Sequence, residues 1–88
     1  MKRLHIFIKG RVQMVSFRYY TKEKALELNL NGWIRNLDDG RVEVVVEGIE
    51  DKIKEMLEFL KEGPRFSKVE DVEVKEEEVR NEEGFEVK

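Results

Sequence analysis

One segment of the chain, residues 10–18 with the sequence GRVQMVSFR, has residue types that suit the binding of a small anion. Before it, apolar and polar residues alternate, and after it, apolar residues recur with helical spacing. A helix is therefore expected to begin within or just after this segment. The N–H groups at a helix N-terminus lack partners and carry the positive end of the helix dipole, and both attract phosphate or carboxylate. Arg18, in or near the first turn, can add a guanidinium contact. A strand, a glycine turn and a helix also occur in ordinary crossovers, so this segment alone is more typical of a structural connection.

Most other catalytic chemistry is excluded by the residue types that the chain lacks. There is no cysteine, and His5 is the single histidine. These two facts exclude disulfides, a thiolate nucleophile, and a zinc site built from cysteine or several histidines. We interpret His5 as a structural residue of the first strand.

The elements that must position the anion segment follow from the spacing of the apolar residues. Residues 3–9 alternate between apolar and polar, which predicts a strand that ends at Gly10. The helical spacing from Tyr19 to Leu28 predicts a helix, and asparagine and glycine residues then stop it. The buried stripe of this helix is expected to contain Phe17, Thr21, Ala25 and Leu28.

The remaining pattern completes a known architecture. Residues 33–36 and 42–46 read as two strands joined by the turn Asp38-Asp39-Gly40, and a second amphipathic helix runs from Ile49 to Leu60 before Gly63-Pro64. Val72 and Val74 indicate a fourth strand, which either begins after Val69 or contains a bulge, because Val69 is out of phase with them. Phe85 and Val87 indicate a short last strand. The order is that of the ferredoxin-like α+β sandwich, βαββαβ with a short terminal strand: an antiparallel sheet with two helices on one face.

Length and charge limit the cellular and chemical context. Eighty-eight residues suffice for one domain, residues 1–88. No apolar run is long enough for a membrane helix or a secretory signal, so a cytoplasmic protein is expected. The content of charged residues, 42%, is typical of thermostable proteins.

The charges are unevenly distributed along the chain. Residues 1–37 have eight Lys and Arg and two acidic residues, a net charge of +6, and residues 38–88 have nine Lys and Arg and eighteen acidic residues, a net charge of −9. This balance suits a small anion better than the phosphate backbone of a nucleic acid.

The sequence resembles the acylphosphatase family in motifs that span nearly the whole chain. The segment 10–18 is similar to the family's phosphate loop, G-x-V-Q-G-V-x-F-R, with one mismatch. Gly32-Trp33-Ile34-Arg35-Asn36, followed by Asp39-Gly40 and Val42-Glu43, resembles its G-W-V-x-N…D-G-x-V-E segment. Gly48, Gly63-Pro64 and the closing Gly84-Phe85-Glu86-Val87 also fall where the family has similar residues.

The resemblance implies an activity and a role for each matching residue. The family hydrolyses the carboxyl–phosphate bond of acyl phosphates without a metal, so no metal or cofactor is expected. Arg18 would bind the phosphoryl group, and Asn36 would hold the attacking water. The expected partner is a small acyl phosphate or inorganic phosphate, bound by a monomer. The N–H groups that would surround the phosphate oxygens belong to Arg11, Val12, Gln13, Met14, Val15, Ser16 and Phe17.

One position departs from the family pattern, because Met14 stands where the family has its second loop glycine. Glycine is used where φ is positive or where the backbone approaches a ligand closely, and a side chain in the left-handed region costs roughly 1–2 kcal/mol. Alternatively, Met14 tilts an N–H away from the phosphate or fills part of its site, and losing one such donor typically costs about 100- to 1000-fold in turnover. A catalytically weakened or silent acylphosphatase-like domain that binds phosphate or a small anion is therefore the alternative function. An RNA-binding sheet is disfavoured, because the third and fourth strands carry mainly Val, Glu and Asp.

Overall fold

A computed structural model describes all residues 1–88, which form five strands and two helices in the predicted order. The strands are β1 (Lys2–Arg11), β2 (Asn31–Asn36), β3 (Val42–Gly48), β4 (Lys68–Glu77) and β5 (Phe85–Val87), and the helices are α1 (Val15–Glu27) and α2 (Glu50–Glu62). Neither helix is long and apolar enough to cross a membrane.

The strands form one sheet in the order β4-β1-β3-β2-β5. The four long strands pair antiparallel, as expected of the ferredoxin-like sandwich. The expectation of a fully antiparallel sheet is wrong for β5, which pairs parallel to β2 with Gly32 opposite Phe85. The parallel pairing arises because the segment 78–84 carries the chain from β4, at one edge of the sheet, to the opposite edge before β5 begins. Along this path, the N–H groups of Arg80 and Glu82 donate to the Glu47 carboxylate. The sheet is therefore mixed.

The hydrophobic core lies between the sheet and the two helices. In each strand, side chains alternate between the two faces, and the apolar set of β1 and β3 points to one of them. The helices cover this face with residues spaced three or four apart, as predicted for α1. The side chains of the cluster that are fully buried include Ile6, Ile8, Phe17, Ala25, Ile34, Val42, Val44, Val46, Met56 and Leu60.

The opposite face of the sheet carries a network of ion pairs instead of a helix layer. Arg3, only 2% exposed, lies 2.9 Å from each of the carboxylates of Glu47, Glu77 and Glu82. Hydrogen bonds from Arg3 and His5 lower the pKa of Glu77 to about 2. Burial alone would raise the pKa of Glu47, but the N–H groups and the guanidinium that it accepts from lower it. This network ties β1, β3, β4 and the crossing segment together.

His5 extends this network along β1. Its two ring nitrogens lie 2.8 Å from a Glu77 oxygen and 2.6 Å from a Glu43 oxygen. Glu43 also accepts from Arg35 of β2, so four neighbouring strands are linked through side chains. The interpretation of His5 as a structural residue of the first strand agrees with these contacts.

The end of β1 differs from the prediction. The strand passes through Gly10 and ends at Arg11, with a register shift against β4 between Lys9 and Gly10. Gly10 has φ +134°, and a Cβ there would lie 2.1 Å from the carbonyl oxygen of Lys68, so only glycine fits. The shift leaves one extra residue in β4 between Val69 and Asp71, which is the bulge that the phase of Val69 indicated. The bulge sets the direction in which the chain leaves the sheet toward α1.

Candidate functional site

The connection between β1 and α1 consists of residues 12–14, because α1 begins at Val15 rather than at the predicted Tyr19. Arg18 is consequently the fourth residue of the helix, in its first turn, as predicted. Met14 occupies the position before the helix and makes no side-chain hydrogen bond to it, and the first turn contains no acidic residue. The positive end of the helix dipole is thus not compensated by a carboxylate of its own helix.

Some N–H groups of the predicted loop are engaged within the loop itself. The N–H of Met14 donates to the carbonyl oxygen of Val12 at 2.9 Å, and the N–H of Phe17 donates to the carbonyl oxygen of Met14 at 3.1 Å. The backbone of Arg11 belongs to the sheet, where this residue pairs with β4. The expectation that every N–H from residue 11 to residue 17 faces an anion is therefore too broad.

The other N–H groups of the loop have no such partners. These N–H groups are not donors in any of the backbone hydrogen bonds of the turns and loops. The first residues of a helix also have no acceptor within the helix, because the carbonyl four residues earlier lies outside it. The N–H groups that can donate to an anion are those of Val12, Gln13, Val15 and Ser16.

Met14 is accommodated without backbone strain. Its φ of −126° and ψ of 148° are extended values that any residue adopts, so the expected left-handed strain is absent. Its half-buried side chain packs against the hydrophobic core. The N–H of Met14 is turned toward the carbonyl oxygen of Val12 and is not free to bind an anion.

Gln13 joins the loop to the β2–β3 turn. Its side-chain Nε2 donates to the carbonyl oxygen of Leu37 at 2.6 Å and to that of Arg41 at 2.9 Å. Sequence reasoning assigned Gln13 only a backbone N–H and missed this side-chain role. The one indication in the sequence was a carboxamide with two donors in a loop, which does not identify its acceptors.

The Gln13 bridge brings Asn36 beside the loop, because Asn36 directly precedes Leu37. Asn36 is the last residue of β2, pairs with Val42 and is exposed. It lies two residues after the buried Ile34, so its side chain points to the face of the sheet that carries the helices. Helix α1 packs against β2 on this face. The structure thus places Asn36 and Arg18 on the same face and at the same end of the sheet.

Arg18 is half-buried and forms no ion pair. Its Nε is buried and has no hydrogen-bond partner. Three other arginines, Arg3, Arg35 and Arg41, each pair with a carboxylate. A partly desolvated guanidinium without a counter-ion favours the binding of an anion beside it.

Two of the hollows in the surface are relevant to the position of the site. One, of about 440 Å³, lies where β1 leaves the sheet, and its lining is entirely polar or glycine: Lys9, Gly10, Asp39, Gly40, Arg41 and Glu70. A larger one, of about 800 Å³, lies between α1 and the end of α2, beside Tyr20 and Phe59. The larger hollow contains none of the loop residues, so size alone does not identify the site.

Comparison with known proteins agrees with the motifs. The model of the acylphosphatase family matches residues 4–87. An acylphosphatase of Syntrophobacter fumaroxidans is 51% identical over 81 residues, which cover 92% of this chain and 84% of that protein. One from Thermus thermophilus is 49% identical over 87 residues, 99% of each chain. The crystal structure of acylphosphatase from Bacillus subtilis superimposes with a TM-score of 0.94 at 40% identity, over 99% of this chain and 98% of that one. The chain therefore belongs to the acylphosphatase family, and its function is that of an acylphosphatase.

Proposed function

We propose that Arg18, Asn36 and the N–H groups of the loop perform the hydrolysis of acyl phosphates in this chain, without a metal ion. The observation that carries this proposal is the unpaired, half-buried Arg18 beside N–H groups that have no acceptor of their own. The position of Asn36 on the same face and at the same end of the sheet supports it.

The phosphoryl group would lie in front of α1. The N–H groups of Val12, Gln13, Val15 and Ser16 would donate to its oxygens, and the guanidinium of Arg18 would add a bidentate contact. Phosphoryl transfer passes through a loose transition state that needs positioning and neutralisation of charge more than covalent help. The loop and Arg18 supply the neutralisation, and the N–H groups of the loop are held in place by the backbone before the substrate arrives.

Asn36 would position the attacking water, since its amide can accept from and donate to one water molecule. The water oxygen attacks phosphorus opposite the bond to the acyl oxygen. That bond breaks, the carboxylate leaves with the electron pair, and the proton of the water passes to a phosphate oxygen. A carboxylate has a conjugate-acid pKa of about 4 and leaves at neutral pH without a proton donor, so no general acid is required.

The setting of the enzyme is part of the same proposal. All residues of the site come from one chain, which supports a monomer. The acidic balance of the chain supports a small-molecule substrate rather than a nucleic acid. The absence of cysteine fits the cytoplasm, and the 42% of charged residues fits a thermostable protein.

The roles of the two side chains can be separated with benzoyl phosphate as substrate, in the presence of a chelator. Arg18→Ala should abolish measurable turnover and weaken inhibition by inorganic phosphate, because it removes the charge that binds the phosphoryl group. Asn36→Ala should lower kcat by about 100-fold or more while phosphate inhibition changes little, because it removes only the positioning of water.

The matched control is Arg65→Ala, which removes an exposed arginine from the segment after α2. It should retain wild-type kcat/KM, because Arg65 lies outside the loop and the β2–β3 turn. An inactive wild type, or wild-type kinetics in Arg18→Ala, would contradict the proposed roles. Turnover that disappears in chelator would contradict the metal-independent mechanism.

A further inference from the structure

Only two buried side-chain polar atoms in the chain have no hydrogen-bond partner, and both belong to α1. They are Nε of Arg18 and Oγ1 of Thr21. A buried polar atom without a partner destabilises the folded state, and native proteins contain few of them. The two atoms lie three residues apart in the first half of α1, and Arg18 is also beside the proposed phosphate site.

The two side chains are neighbours on the helix surface. Residues three apart lie on the same side of an α-helix, with Cβ atoms about 5–6 Å apart. Thr21 is completely buried, on the stripe that also contains Phe17 and Ala25. Arg18 is half-buried, so its Nε lies in the protein while part of the guanidinium reaches the surface.

The two atoms are also chemically complementary. The Nε–H of arginine only donates, whereas a threonine hydroxyl both accepts and donates. Helical threonines commonly donate to the carbonyl oxygen four residues earlier, which here is that of Phe17. Oγ1 of Thr21 does not make this bond in the structure, so both of its hydrogen-bonding functions remain free.

We propose that Thr21 is a positioning residue for Arg18. This inference rests on the proposed function of the loop. When the guanidinium binds phosphate, its Nε–H donates to Oγ1 of Thr21, and the hydroxyl donates in turn to the carbonyl oxygen of Phe17. The contact fixes the plane of the guanidinium, so that its two terminal Nη groups face the phosphoryl oxygens. The long side chain of Arg18 can make this adjustment by rotation about its own bonds.

The test compares Thr21→Val, which keeps the shape and removes the hydroxyl, with Thr21→Ser, which keeps the hydroxyl. Thr21→Val should weaken inhibition by inorganic phosphate about 10-fold and lower kcat/KM on benzoyl phosphate by at least as much, because a hydrogen bond to a charged group is lost. Thr21→Ser should restore most of both values. The Tm of Thr21→Val should not fall, because the substitution replaces an unpartnered hydroxyl by a methyl group.

A spectroscopic measurement separates positioning from packing. In ¹⁵N–¹H NMR spectra, addition of phosphate should protect the Nε–H of Arg18 from exchange with water in the wild type and in Thr21→Ser, but not in Thr21→Val. The resonance is assigned by its absence in Arg18→Lys. Ile53→Val is the control for general loosening of the core: it shortens a buried side chain of α2 and should lower Tm without changing phosphate affinity.

Wild-type phosphate affinity in Thr21→Val, or equal protection of the Nε–H in that variant, would overturn the inference. Phosphate affinity is measured separately from turnover. An inactive wild type would therefore contradict the proposed function, and the affinity comparison would still decide the role of Thr21.

Discussion

Arg18 combines partial burial with the absence of a carboxylate partner, in a chain with 20 acidic residues. Arg3 is more deeply buried, but three carboxylates surround it. A charge that is partly desolvated and unpaired is costly in the free protein, and an anion that binds to it relieves that cost. At the scale of single residues, the site therefore depends on a charge that the fold leaves uncompensated.

Met14 is a loop residue whose N–H is not free to bind an anion. Because the N–H of Met14 donates to Val12, we expect Met14→Gly to free the backbone and to add a donor to the site. The variant should raise kcat/KM on an acyl phosphate by about 10-fold or more, since one preorganised donor is worth about 100- to 1000-fold at most. Its Tm should fall, because a side chain that packs against the core is lost.

Met14→Leu is the control for this substitution. It keeps an apolar side chain of similar volume and the same backbone preference, so its kcat/KM should match that of the wild type. Equal rates in Met14→Gly and the wild type would show that the departure from the family's glycine has no effect on catalysis.

Strand β1 is the element on which both faces of the sheet depend. Its C-terminal end, where Gly10 lies opposite the bulge of β4, directs the chain into the phosphate loop. Its N-terminal half carries Arg3 and His5, which hold the carboxylates of β3 and β4 on the face without helices. Acid should therefore loosen the contacts of β1 before it affects the hydrophobic core on the other face.

Glu77 makes this acid sensitivity measurable. Its pKa is lowered from the ordinary 4.5 to about 2 by hydrogen bonds from Arg3 and then from His5. A lowered pKa in the folded state stabilises the protein above the unfolded-state value, and that contribution is lost as the pH falls from about 5 to 2. We expect Glu77→Gln to have a lower Tm than the wild type at pH 7, and a smaller fall of Tm between pH 5 and pH 2.

Glu78→Gln is the matched control, because Glu78 is the exposed neighbour of Glu77 and forms no ion pair. Its Tm should follow that of the wild type at every pH. If Glu77→Gln lost as much stability as the wild type between pH 5 and pH 2, the ion network at Arg3 would not be the source of the acid sensitivity.

At the scale of the whole molecule, stability comes from one small core and an ion network on the opposite face. Charged residues make up 42% of the chain, and ion-pair networks contribute more at high temperature because their desolvation cost falls. We therefore expect a Tm above about 70 °C, beyond the ~45–65 °C that is usual for domains of mesophiles. Light scattering after gel filtration should give the mass of one chain, 10.5 kDa. A Tm within the mesophilic range or a dimer mass would contradict these two expectations respectively.

The helices and strands and the position of Arg18 in the first turn of α1 were predictable from the sequence. They depend on residues that are close in sequence, within one or two helical turns or a few residues of a strand. The alternation in residues 3–9 and the helical stripe from Phe17 to Leu28 identify the buried faces. The boundaries were less accurate: α1 begins four residues early and β1 runs one residue past Gly10, because the helix and the bulge are stabilised by contacts outside the local pattern.

Only the tertiary structure decided which groups meet. The bridge from Gln13 to the turn at Leu37 and Arg41 joins residues 24 and 28 positions apart, and the contact of Arg3 with Glu77 joins residues 74 apart. The parallel pairing of β5 and the extended φ of Met14 likewise depend on the path of the chain across the sheet. The local periodicity of a sequence indicates which face of a helix or strand a residue occupies. A hydrogen bond between distant residues requires two atoms within about 3 Å of each other. Distant parts of the chain come this close only when the whole chain is folded.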